Sequence, residues 1–199
     1  MSSQRIAPMV LLAVLAVACQ KQPPQQEAAA PPAGPAPGTP EWKIQNAMSA
    51  GPAALAQNAT IMDWPDSSGH QTQLRAGTNG WTCLPDMPDT PANDPWCLDA
   101  QWGQFMQAYM AHGAPNTTAV GYAYMLQGSA DGSLSDPFKM RPDSGQPWII
   151  EGPHVMIIVP RALMASVNAL PDHQNSGGPY VMFRGTPYAH VMMPVRAAQ

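Results

Sequence analysis

The sequence predicts an α+β fold, a mainly antiparallel sheet with one long amphipathic helix packed on a face. Three observations point there. Candidate strands outnumber candidate helices, the two are not regularly interleaved, and one segment alone keeps a sustained helical period. A βαβ alternation would have implied a parallel sheet instead.

In chain order, a short helix is expected from Glu41 to Ser49, followed by strands at "TIMDW" (60–64) and "QTQLRAG" (71–77). The long helix is expected over "CLDAQWGQFMQAYMAHG" (97–113). There Leu98, Trp102, Phe105, Met106, Tyr109 and Met110 recur at helical spacing, Asp99 can cap the start, and Gly113 can end it. "AVGYAYMLQG" (119–128) and "WIIEGPHVMIIV" (148–159) read as strands, and "RALMASVNAL" (161–170) as a helix before Pro171. "YVMFRG" (180–185) and "YAHVMMPV" (188–195) are strands joined through Gly185, Thr186 and Pro187, a hairpin connection.

These elements occupy residues 41–199, one ordinary domain by length. Residues 19–40 are a Pro/Ala-rich linker without a large apolar side chain, too poor in buriable surface to order itself. Residues 1–18 combine Arg5, an apolar run from Met9 to Ala18 and a small-residue end, the layout of a bacterial export signal. The run is too short to cross a bilayer as a permanent helix. "LAVAC" at its end resembles the lipobox of bacterial lipoproteins, with Ala16 where the family prefers Leu. The resemblance implies cleavage before Cys19 and acylation of that residue, palmitate being one of the chains. Gln20 in the following place is compatible with transport to the outer membrane. The expected setting is therefore the periplasm-facing cell envelope, with the membrane as a partner through the anchor. An ordinary secretory signal is the competing reading.

Export sets the redox context. Cys83 and Cys97 remain after Cys19, an even pair in an oxidising space, and a disulfide closing "CLPDMPDTPANDPWC" is expected. Asp86, Asp89, Asp94 and Asp99 in and after that loop could hold calcium, but their spacing is not that of an EF-hand and turn or capping roles also account for them. Only 11% of the chain is charged, with a formal net charge of −4 and no Lys/Arg cluster, so nucleic acid is not an expected partner.

The sharpest chemical feature is a repeated triplet. "GPHVMIIVP" and "YAHVMMPV" each carry His-Val-Met. On a strand, alternate residues share a face, so His154 with Met156, and His190 with Met192, point the same way. Were the two strands neighbours, two imidazoles and two thioethers could converge on a soft metal, and copper is the one that donor set suits. The chain holds 14 Met, which fits that reading and equally fits methionine as a core filler. A zinc set of His154, His190 and Glu151 would need assumptions about the fold. No cofactor is expected, copper at these residues being the one candidate.

No nucleophile elbow, zinc-protease helix, phosphate loop or dinucleotide fingerprint is present. Glu151 with His154, or Asp172 with His173, could form an acid/base pair. "NGWTCLPDMP" (79–88), "DPWCLD" (94–99) and "GPHVM" (152–156) together resemble a family of uncharacterised bacterial exported proteins, which implies a single domain and no particular activity. The first expectation for function is thus an envelope binding or structural module with an envelope protein as partner, Trp81 and Trp96 being candidate contacts. Copper binding and an envelope enzyme are the alternatives.

Overall fold

The computed structural model describes residues 34–174 and 177–195. The expected signal, Cys19 and the expected linker up to residue 33 lie outside the described residues. Among the described residues no helix is long and apolar enough to cross a membrane.

The first helix, α1 (Pro40–Met48), starts where the sequence supplies a start signal. The Thr39 side chain accepts a hydrogen bond from the Trp42 amide, and Pro40 occupies the first turn, where no amide is needed. A single turn, α2 (Ala53–Ala56), follows. The strands are β1 (Thr60–Met62), β2 (Gln73–Arg75), β3 (Thr82–Leu84), β4 (Trp96–Leu98), β5 (Gly121–Met125), β6 (Ser129–Asp131), β7 (Ile149–Glu151), β8 (His154–Ile158), β9 (Tyr180–Met182) and β10 (His190–Pro194). Eight form one sheet in the order β2-β1-β3-β4-β5-β8-β10-β9, and β6 and β7 make a separate two-stranded ribbon. All pairings in the large sheet are antiparallel except β1 with β3. The fold is therefore mixed α/β around a mainly antiparallel sheet.

Helix α3 (Ala100–Met110) is shorter than the 97–113 expected from periodicity. Cys97 and Leu98 are taken by β4, paired on both sides with β3 and β5, and Cys97 is joined to Cys83 by a disulfide directly across the β3–β4 register. Asp99 then caps the helix, accepting from the Trp102 amide at 2.9 Å, while its other oxygen accepts from the Tyr122 amide of β5 at 2.7 Å. The expected helix at 161–170 is a 3-10 helix, Arg161–Val167, with no buried residue to hold a longer one. The expected strand at 148–159 is broken at Gly152-Pro153 and its halves serve different sheets. Proline has no amide to give to a ladder, so the break falls where the chemistry requires it.

The sheet buries both faces. Against one face, α1 and α2 bring Ala47 and Ala56 onto Ile61, Cys83 and Cys97. Against the other, α3 brings Trp102 and Phe105 onto Leu98, Ala123, Met125, Met156, Ile158, Met182 and Met192. Gly128 lets β6 close on β7. It has φ +97°, and a Cβ there would stand 2.4 Å from the Glu151 carbonyl oxygen.

Candidate functional site: a methionine-floored cavity with two imidazoles

The face under α3 is not fully packed. A cavity of about 550 Å³ opens between that face, α3, the β6 ribbon and the loops around Trp64 and Pro137. The register of β5, β8, β10 and β9 lays its floor out as three rungs. Met125 is opposite His154, which is opposite Pro194. Ala123, Met156, Met192 and Tyr180 form the middle rung. His190 is opposite Met182 on the rung beyond. All four residues of the His-Val-Met repeats therefore share one face and one cavity, with Met156 and Met192 directly opposed. The two histidines do not share a rung. They flank the methionine pair at opposite ends.

Both imidazoles are held the same way. His154 Nδ1 is 2.8 Å from the Gly152 carbonyl and His190 Nδ1 is 2.9 Å from the Tyr188 carbonyl. A carbonyl oxygen only accepts, so each Nδ1 carries the proton and donates it. Each Nε2 is then a bare lone pair. His154 is 1% exposed and His190 3%, and neither Nε2 makes a hydrogen bond with the protein. Burial pushes the His190 pKa down to about 4 and lowers that of His154 as well. Both rings are neutral acceptors at neutral pH. This is how imidazoles are prepared as metal ligands, the second nitrogen fixed by a carbonyl so that the first is aimed and unprotonated.

Their surroundings are soft and aromatic. Eight of the 14 methionines line this one cavity: Met125, Met156, Met182 and Met192 on the floor, with Met87, Met106, Met110 and Met140 further out. Met110 is 57% exposed and Met140 53%, so thioethers run from floor to solvent. The Trp102 ring stands 5.1 Å from the His190 ring, edge to face, and its indole N–H donates to the Met156 carbonyl. Phe183 stands 5.6 Å from His190, also edge to face. Phe183 has φ +55°, a left-handed backbone that bulky residues seldom adopt, so the turn after β9 holds its ring there against a local strain. Trp96 packs edge-on against Trp64 at 6.1 Å, and its own indole N–H is buried without a partner.

One corner is acidic. The Ser129 hydroxyl donates to Asp131 at 2.8 Å, and burial pushes that carboxyl up to about 6, with the Glu151 charge adding to the effect. Glu151 is itself buried and raised, and accepts from the Tyr180 hydroxyl.

Several expectations do not hold in this geometry. Glu151 turns to Tyr180, so it forms neither an acid/base pair with His154 nor a zinc set with the two histidines. Asp172 and His173 do pair, at 2.8 Å, but on the exposed surface away from the cavity. Asp86 and Asp94 tie the stapled loop together through backbone amides, Asp89 reaches Arg141, and Asp99 caps α3, so the four do not gather. Trp81 and Trp96 are half-buried, Trp81 packing on Tyr124 at 5.6 Å, rather than standing out as contacts. Among the described residues, no three His, Cys, Asp or Glu side chains come together as a metal-binding group. The donor set on the floor is imidazole and thioether.

Sequence reasoning missed Met125, Met182, Asp131, Trp96 and Trp102 as neighbours of this site. The alternation Gly121, Ala123, Met125 was there to be read, but which strands lie beside β8 and β10 depends on long-range register. No protein family profile matches the chain, no curated protein matches it, and no solved structure matches it.

Proposed function

We propose that this protein is an exported, lipid-anchored module of the cell envelope that binds copper(I) on the floor of the methionine-lined cavity. The observation that carries the reading is the pair of buried Nε2 atoms, bare and unpartnered, among thioethers. A buried polar atom left without a partner costs roughly 1–3 kcal/mol, and neither Nε2 has a partner in the protein. A ligand that accepts the lone pairs would offset it. Soft thioether with imidazole suits Cu(I). Neutral ligands also favour a singly charged ion over a divalent one, because less charge is taken from water.

Anchoring at Cys19 and an outer-membrane, periplasm-facing location belong to the same proposal and rest on the signal sequence alone. They call for a mature amino terminus whose mass carries the acyl chains, and an unmodified Cys19 or an intact leader would remove them.

A second reading has its own support. The cavity is far larger than an ion, and its walls are mainly apolar, which suits a small apolar molecule. An acid/base enzyme is less well supported, since both imidazoles are tied to carbonyls rather than carboxylates.

Anaerobic titration of the purified protein with Cu(I) against a chromophoric chelator separates these readings. Copper binding predicts withdrawal of Cu(I) from the chelator by the parent protein, and sharply reduced withdrawal by the double variant His154→Leu, His190→Leu. Failure of the parent to compete, alongside saturable uptake of a hydrophobic fluorophore, would favour the apolar ligand and end the copper reading.

A further inference from the structure

We infer that the floor holds two separate soft-metal sites, His154 with Met125 and Met156 at one end, and His190 with Met182 and Met192 at the other. This rests on the copper reading and adds its number and ligands.

The strand register carries it. His154 is opposite Pro194, and His190 lies four residues before Pro194 on the same strand. At about 3.4 Å per residue, the two histidine rungs are about 14 Å apart along the strands. A metal–imidazole bond is about 2 Å, so two Nε2 atoms on one ion must come within about 4 Å of each other. From its Cβ an imidazole reaches less than half of the gap left between the rungs, so the rings cannot meet even by leaning in. Each is tied by Nδ1 to a carbonyl two residues earlier in its strand, Gly152 for His154 and Tyr188 for His190. Because β8 and β10 are antiparallel, those two tethers lie at opposite ends of the floor. One shared ion is therefore not available to both.

Each end is complete without the other. Met125 is the direct cross-strand neighbour of His154, and Met182 that of His190. Direct neighbours have Cβ atoms about 4.5–5.5 Å apart. Met156 and Met192 stand two residues along from their histidines on the same face, which is the same offset in both strands. Each end thus offers one nitrogen and two sulfurs, a three-coordinate set suited to Cu(I). Each also has a tryptophan at hand: Trp102 against His190, and Trp96 on the strand beside Met125, both lining the cavity. An indole face would add a cation–π contact and help exclude water.

The test is stoichiometry by end. Anaerobic Cu(I) titration of the full chain is compared with Met125→Leu and Met182→Leu, volume-conserving changes that leave the core filled. Near-UV circular dichroism checks that each variant is folded, and Ag(I) serves as a redox-silent repeat. Two equivalents are expected in the parent. Each variant should weaken one of them by about 10-fold or more, with the other untouched, and X-ray absorption should average one nitrogen and two sulfurs per copper. A single equivalent weakened by either variant would overturn the two-site inference while leaving copper binding standing. No uptake at all would overturn both.

Discussion

Replacing Asp131 by Asn isolates the cost of keeping a carboxyl at the cavity edge. Burial pushes that carboxyl up to about 6 from an ordinary value of 3.8. At about 1.36 kcal/mol per pH unit, the difference corresponds to about 3 kcal/mol. The sign follows from which state holds the proton more tightly. The folded state does, so the group is harmless below pH 3.8, where it is protonated both folded and unfolded. The penalty grows as pH rises towards 6 and is complete above that. Asparagine keeps the amide-sized shape and can accept from the Ser129 hydroxyl as Asp131 does, but carries no charge to desolvate. Asp131→Asn should therefore stabilise the metal-free protein by up to about 3 kcal/mol at pH 7.5 and leave it unchanged near pH 3.5. For a domain of this size, that is a rise in melting temperature of about 6–12 °C at the higher pH. Urea unfolding at the two pH values, parent against variant, gives both differences. Equal effects at both, or a loss of stability at pH 7.5, would refute the desolvation argument.

Two further outcomes are expected. The Cys83–Cys97 bond spans a sequence separation of 14, so Cys83→Ala with Cys97→Ala should cost about 3 kcal/mol in the chain-entropy description, read by urea unfolding under non-reducing conditions. Burial holds His190 near 4 against an ordinary 6.5, so its contribution is present above pH 6.5 and is lost as pH falls through 4; His190→Leu should flatten the acid limb of the unfolding curve across that window, and an unchanged limb would count against a neutral, buried ring.

Short-range periods in the sequence carried part of this picture. The alternation in His-Val-Met placed each histidine and methionine on one face, and Asp99 marked the start of the helix, while its end falls at Met110 with His112, not Gly113, in the left-handed conformation. What stayed hidden depends on partners distant in the chain. Strands β3 and β4 are three residues each, inside a proline-laden stretch, and exist because β1, β5 and the disulfide hold them. The same pairing shortened the helix by claiming Cys97 and Leu98. Strand β6, Ser-Ala-Asp, has no β-forming composition and pairs with β7 by tertiary context. Met125 and Met182 became relevant only once β5 and β9 were known to flank β8 and β10.

The doubled role of Asp99 bears on how anything reaches the floor. One carboxylate grips both the first turn of α3 and the β5 amide beneath it. That end of the helix is a fixed hinge pin. The far end, where α3 runs out at Met110 and the chain reverses through His112, with φ +53°, and Gly113, is held too: Tyr109 donates to the Pro137 carbonyl, Tyr188 donates to the Gly113 carbonyl, and His112 stacks on Phe138. The helix is thus a bar fastened at both ends, and guests would enter beside it, past the sulfur of Met110 and Met140, without bending it; amide exchange should be slow at Trp102 and at Gly113 alike.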